Sequence, residues 1–510
     1  FGTRLPRLGR GNDALLQQRS RMETADQLND LLATHFEWLI VRENGRTIPV
    51  RQDELEITGE NGKTLFGFFD DAGFGVSRVV GLSQEQQEIV LSVSGRFGAD
   101  REQLRLIPRQ PAAELAANIE LARLEKANEA ARIIVDSFAG LKPVRISLNE
   151  NGGRIAQILV RNIERKVIGV VYDVTQKLTH ESILAASLKW LDKLKSRKQD
   201  PAEELWIVVE KARSANLRRL LALLRQGAGS SIKIIVIDRT PEQPLARISG
   251  PLRLSDLWRE KPRKLSIPPE ILHTRTARSV TELDPENIDV VFSRNGETVR
   301  YNGLPFVRVR RLMGRERAWF GIDRERRPLS DVNGAEFSTL FDELQLNRKS
   351  SAINTRHEFY SRASEAWLES ILRRNIKSLD ANLELAPIYN QFRSSTDKID
   401  LLAIRRDGRL VIIELKTSPD RESVLQATDY WRKIELQRRR GVLNEARLFG
   451  NKQINAQPAL VYCVAPALSF HRDFEYFARM LCPEIELWRW ELHQDWRNEI
   501  QVIARKRISD

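Results

Sequence analysis

Asp400, Glu414 and Lys416 have side-chain types and a spacing that could hydrolyse a phosphodiester. They sit on two apolar runs, residues 398–404 and 410–416, which meet at Asp407-Gly408, a dipeptide suited to a tight hairpin. Charge is rare on buried strands unless it is paired or binds a metal. Strand alternation sends Glu414 and Lys416 to one face and Leu415 to the other. The hairpin can then bring Asp400 beside them, so that two carboxylates and one ammonium share one end of a sheet. Two carboxylates supply the hard oxygen ligands that Mg²⁺ prefers, and a cation held there can activate a water.

The elements around these residues must do the positioning. Residues 422–435 read as a helix with Gln426 and Tyr430 four apart on one face. Upstream, residues 364–372 read as an opening helix that carries Glu365 in its first turn. The constellation resembles the PD-(D/E)xK nuclease superfamily, and within it the RecB-like branch marked by Gln-x-x-x-Tyr. The resemblance runs from near Arg356 to the C-terminus. One departure is Ile399, where the superfamily often has Pro. The resemblance implies a restriction-endonuclease-like α/β (α+β) core of helix, three strands, helix and a further strand. It implies that Asp400 and Glu414 hold Mg²⁺ (or Mn²⁺), with the Leu415 carbonyl as an extra ligand and Glu365 completing the shell. It further implies that Lys416 handles the attacking water and the phosphate charge, and that Gln426 and Tyr430 position Lys416 or the scissile phosphate.

The chain also carries a second version of this pattern. The strands at residues 154–161 and 166–172 align with 398–405 and 410–416, and residues 181–190 align with 422–431. In that gapless strand alignment Asp400 falls on Ala156, Glu414 on Val170 and Lys416 on Tyr172. Gln426 falls on Ala185 and Tyr430 on Lys189. The first copy therefore reads as a degenerate nuclease-like domain kept for architecture, DNA grip or dimerisation. A β-rich stretch precedes each copy, one around Asn44-Gly45 and Leu65-Phe66-Gly67, the other around Asn295-Gly296 and Trp319-Phe320-Gly321. Proline-containing stretches at 108–111 and 262–269 read as joints. The expected order is an N-terminal helical arm (1–34), a β-rich module (35–110), the degenerate nuclease-like domain (111–245), a linker with a second β-rich module (246–345) and the nuclease domain (346–510).

With 510 residues, 41% hydrophobic and 30% charged, the chain suits several globular domains. No apolar run reaches the roughly eighteen residues that a membrane helix needs. Phe1-Gly2-Thr3-Arg4 lacks an apolar stretch and reads as a trimmed start and not as a signal peptide. Two cysteines, Cys463 and Cys482, both in apolar surroundings, read as buried thiols; they suit a reducing cytoplasm and exclude a cysteine zinc site. A net charge of +13 favours a polyanionic partner. Arg308, Arg310 and Arg311, residues 324–327, and Arg438-Arg439-Arg440 are the basic runs that would meet it. Residues 59–64, Gly-Glu-Asn-Gly-Lys-Thr, lack the first glycine of a phosphate loop and read as a hairpin turn.

These readings converge on a metal-dependent DNA nuclease with one C-terminal site, serving repair or defence against foreign DNA. The alternative, from another class, is a non-catalytic nucleic-acid-binding or scaffold protein built on nuclease-like domains. DNA is the expected partner. A helicase or ATPase, absent from the motifs of this chain, and a second copy in a homodimer stay open.

Overall fold

The computed structural model describes residues 24–42, 47–60, 63–70, 73–85, 88–94, 101–109, 112–149, 152–239, 244–262, 265, 272–293, 296–312, 315–322, 326–386 and 400–508. Several sequence expectations fall outside them: the first helical residues, Asn44-Gly45, Asn61-Gly62, most of the proline-containing stretch 262–269, Asn295, Arg324 and Glu325, and Lys398 and Ile399. The chain is of the mixed α/β class and divides into two compact units, Phe1–Ala122 and Arg123–Asp510.

The first unit holds a seven-stranded sheet between Glu37 and Pro108 in which every neighbouring pair is antiparallel. Alternation makes it one-sided. In Glu37–Arg42, Trp38 and Ile40 are buried, and so are Ile48 and Val50 on the adjoining strand. Leu28 and Leu32, from a helix over residues 24–32, cover that face, and the Trp38 indole donates to the Leu32 carbonyl at 3.1 Å.

The second unit contains two six-stranded sheets of identical topology. The first comprises β1 (Lys142–Leu148), β2 (Ile155–Arg161), β3 (Val167–Asp173), β4 (Glu204–Glu210), β5 (Ile232–Asp238) and β6 (Leu245–Ser249), in that spatial order. The other comprises β7 (Leu383–Leu385), β8 (Leu401–Arg405), β9 (Leu410–Leu415), β10 (Leu460–Pro466), β11 (Glu486–Leu492) and β12 (Val502–Ile508), likewise in order. In each, the first three strands are antiparallel, the third, fourth and fifth run parallel, and the sixth returns antiparallel. The parallel centre must be covered on both faces, which is why β3 and β9 are apolar almost without interruption.

Helices supply the cover. The later part of α1 (Ala112–Ser137), with Ala127, Ala130, Ala131 and Ile134, packs on one face of the first sheet, and α2 (His180–Lys195) and α3 (Lys211–Leu221) pack on the other. In the second copy α4 (Ser364–Arg374) takes the place of α1, while α5 (Ser423–Arg439) and α6 (Phe474–Arg479) take those of α2 and α3. The α2 and α5 faces meet, so that Leu184, Leu188, Leu425 and Trp431 belong to one continuous core. At the far side the Cys482 amide donates to the Leu223 carbonyl at 2.8 Å, and Leu224 bridges Leu481 antiparallel. The duplicated fold is thus a dimer-like pair within one chain.

A five-stranded antiparallel sheet from Ile288 to Pro328 precedes α4 and fixes it. Arg300 bridges Asp289 at 2.5 Å and Glu369 of α4 at 3.3 Å, and the Ser370 hydroxyl donates to Asp289 at 2.6 Å. Gly303, at φ +81°, approaches α4 so closely that a Cβ there would overlap the Ala366 carbonyl.

Candidate active site

The site is assembled at one end of β8 and β9. Leu401 faces Ile413, and one further step places Asp400 across from Glu414. The Asp400 carboxylate accepts from the Leu415 amide at 2.9 Å, which holds it against the third strand of the sheet. Glu414 shares the face of Leu410 and Ile412, toward the core between the copies, and is 3% exposed. Lys416 continues past the strand end with its ammonium 3.2 Å from Glu414 and 3.1 Å from Asp420. One Glu414 oxygen takes this contact. The other, Oε2, is buried, and no hydrogen bond reaches it among the described residues.

Electrostatics follow from that geometry. Burial, reinforced by Asp400, pushes the Glu414 carboxyl well above the usual carboxylate range; Lys416 opposes the rise and Glu365 adds to it. Burial works against the Lys416 charge too, but Glu414, Glu365 and Asp420 outweigh it and push its pKa up. Lys416 is therefore firmly protonated at neutral pH. Cys463 lies beside Glu414 on β10, and burial, with Glu414 adding to it, pushes its thiol up, leaving it an inert packing group.

Glu365 arrives on the first turn of α4. The hydroxyls of Ser364 and Thr417 lie 2.5 Å apart and tie that helix end to the chain leaving β9. Ser469 donates to the Thr417 carbonyl at 3.0 Å, adding the loop after β10. Among the sequence candidates, Asp400, Glu414, Leu415, Lys416 and Glu365 come together. Gln426 and Tyr430 lie on α5 and are half-buried. Tyr430 packs on the core between the copies with the Lys433 ammonium 5.5 Å from its ring centre, and the Gln426 side chain makes no hydrogen bond among the described residues. Asp420 was not a candidate from sequence; its position four residues after Lys416 was the available signal.

Arg438 and Arg439, which the sequence suggests as DNA-facing, are occupied internally. Arg438 grips both oxygens of the fully buried Glu435 at 2.8 Å, Arg439 reaches it at 3.2 Å, and Glu435 in turn accepts from the Ala459 amide at 2.8 Å. The gapless strand alignment between copies is also one residue out of phase. Ala156, Val170 and Tyr172 face α1, whereas Glu414 faces the core between the copies and Leu415 faces α4. Gln157 pairs with Val171 as Asp400 stands across from Glu414, so the positions equivalent to the site are Gln157, Val171 and Asp173. The helices keep the expected alignment: Ser187 and Thr428 each donate to the carbonyl four residues back, and Trp190 and Trp431 follow them. Asp173 thus replaces the ammonium of Lys416 with a carboxylate, which accepts from Thr175, Leu178 and Arg213.

The donor set fits a divalent cation. Asp400 and Glu414 offer hard oxygens, the Leu415 carbonyl follows directly, and the unbonded Glu414 oxygen is the kind of buried acceptor that a cation would satisfy. Among the described residues no group of three or more His, Cys, Asp or Glu side chains is placed to hold a metal ion, so Glu365 does not complete a three-carboxylate shell with Asp400 and Glu414. An open site with one or two carboxylates and the rest solvent or substrate is the arrangement Mg²⁺ usually takes.

No described helix is long and apolar enough to cross a membrane. No family model matches the chain, and no curated protein does. A solved structure described as "Structure of EndoMS in apo form" is similar at 15% identity over 37% of this chain and 84% of that chain, with a TM-score of 0.13. A likeness at that score says nothing of the chemistry, which rests on the geometry of the site itself.

Proposed function

We propose that the chain is a metal-dependent nuclease that hydrolyses DNA phosphodiesters at one site, formed by Asp400, Glu414 and Lys416. The observation that carries the reading is the convergence of two carboxylates and one ammonium at a buried sheet end, with a Glu414 oxygen left unbonded. Burying a carboxylate oxygen without a hydrogen bond is costly, and a bound cation would offset that cost.

Asp400 and Glu414, with the Leu415 carbonyl, would hold Mg²⁺ or Mn²⁺, and Glu365 stands near enough to influence both Glu414 and Lys416. When bound, the cation would supply Lewis-acid polarisation of the phosphate and an acidified water. The chain's own residues do the rest. Lys416, held protonated, donates to the non-bridging phosphate oxygens and steadies the charge that grows in the transition state; its raised pKa suits this role better than that of a general base. Asp420 fixes the direction of the ammonium. Gln426 and Tyr430, carried on α5, would orient the phosphate.

Incubating the full chain with single-stranded and duplex DNA, with Mg²⁺, Mn²⁺ or EDTA, tests the reading. Cleavage that needs the metal and disappears in Asp400→Asn supports it. Binding without cleavage under every condition would instead assign a non-catalytic nucleic-acid-binding or scaffold role, the use of the fold for which the first copy, lacking the three site residues, gives precedent.

A further inference from the structure

A half-open cavity of about 410 Å³ lies between the two copies, walled by β1, β2 and α2 of the first copy and by the turns before α5 and α6 of the second. Six cationic side chains line it: Arg145, Lys189, Lys193, Arg197, Arg421 and Arg472. Its one carboxylate, Asp473, is already engaged by Lys189 at 3.2 Å and Arg421 at 3.5 Å. Arg145, Lys193, Arg197 and Arg472 have no carboxylate partner among the described residues. Cations gathered round a concavity repel one another, and a concave wall concentrates their field on whatever enters.

Two further observations give the cavity a direction. Arg421 lines it, and the adjacent Asp420 holds Lys416, so one turn of chain joins the cavity to the candidate active site. Beside that turn, the Thr179 hydroxyl donates to Glu422 at 2.7 Å, clamping the copies together. The second observation is Gln157. It occupies the strand position of Asp400 and opens into the cavity. The first copy's counterpart of the active site has thus exchanged a carboxylate for a neutral amide in cationic surroundings. A carboxylate there would repel a phosphate; an amide does not.

We propose that this cleft binds the phosphodiester backbone of a single nucleic-acid strand leading to the Asp400–Glu414–Lys416 site. The degenerate copy is then a strand-binding subunit fused to the cutting one. The volume is that of a small-ligand pocket and takes a short piece of one strand, not a duplex. Cations contributed by both copies suit a chain of phosphates better than one anion. The identity of the polyanion rests on the nuclease reading.

The test measures binding without cleavage. The full chain is titrated with a fluorescent single-stranded oligonucleotide in EDTA over a series of salt concentrations, beside the Arg145→Ala/Lys193→Ala/Arg197→Ala variant. None of the three makes an ion pair or hydrogen bond with Asp400, Glu414 or Lys416 among the described residues, and thermal melting checks that the variant folds. The expected result is affinity weakened by about tenfold or more at low salt, and a salt dependence flattened by up to about 0.7 unit of slope for each phosphate no longer held. An unchanged affinity and slope in the variant, or a wild-type chain that does not bind the strand, overturns the proposal. So does a mononucleotide that binds as tightly as the oligonucleotide. These outcomes are separable from the nuclease reading. A wild-type chain that cuts DNA while the variant binds normally refutes only the cleft, whereas a chain that binds through these residues and never cuts refutes only the nuclease.

Discussion

The ammonium of Lys416 lies 3.2 Å from one oxygen of Glu414, and the other oxygen of that carboxylate is buried without a hydrogen bond among the described residues. The pair is therefore half-balanced: enough charge is present to keep Lys416 protonated, and one acceptor is left over.

That imbalance predicts how Glu414 responds to pH and metal. Its folded-state pKa is raised, so the stability gained by keeping it neutral is present at low pH and disappears as pH rises through the folded value. In EDTA the melting temperature should fall as pH rises beyond the usual carboxylate range, and Mg²⁺ should restore it at the upper end. Glu414→Gln should remove most of this dependence, melt at least as high as wild type in EDTA at neutral pH, and cut no DNA. A wild-type melting temperature that ignores Mg²⁺ across this range would argue against a cation at this carboxylate.

Lys416 should separate catalysis from binding. Lys416→Ala should lower turnover by orders of magnitude while leaving DNA affinity in EDTA nearly unchanged, because its charge acts mainly on the transition state. It should also raise the Glu414 pKa further, because Lys416 is the group that opposes the effect of burial, so the loss of stability as pH rises should be larger than in wild type. Glu414→Gln combined with Lys416→Met should recover much of that stability and none of the activity. Comparable activity in Lys416→Ala, measured at saturating DNA, would remove Lys416 from the mechanism.

The basic run on α5 should behave as structure. Arg438→Ala would leave the fully buried Glu435 with a weaker partner and disturb its acceptance from the Ala459 amide, at a cost of about 3 kcal/mol. The salt dependence of DNA binding should stay as in wild type. Denaturant melts and salt titrations of the one variant decide between the two roles. A stable Arg438→Ala protein with a flattened slope would return this run to the DNA interface.

What the sequence made readable and what it hid have physical reasons. The hairpin at Asp407-Gly408 was readable because its turn demands a particular residue: Gly408 sits at φ +80°, and a Cβ there would come within 2.7 Å of the Gln453 carbonyl oxygen. The site residues stood out because charge on a buried strand is rare. The phase between copies was hidden because β3 and β9 are buried on both faces. An apolar residue fits either side, and a slip of one position, which reverses every side chain, leaves no mark in the pattern. The internal use of Arg438 was hidden because its partner, Glu435, reads as an ordinary helix-surface residue three positions away.

The corrected phase leads to the final prediction, that the first copy cannot be revived by restoring the chemical groups. At the equivalent positions this means Gln157→Asp, Val171→Glu and Asp173→Lys. Val171 is 1% exposed within the core shared by both copies, so a carboxylate there would be desolvated among apolar neighbours. Asp173 accepts from the Thr175 amide and hydroxyl, the Leu178 amide and Arg213, all within 3.0 Å. A lysine in its place would leave those donors unsatisfied and set an ammonium against Arg213. Each of the last two changes alone should cost several kcal/mol. The triple variant should therefore melt far below wild type or fail to fold, and in an Asp400→Asn background it should show no metal-dependent cleavage. A folded triple variant that cuts DNA in that background would mean that the first copy retains a cleft able to do chemistry, and its reading as a converted site would be wrong.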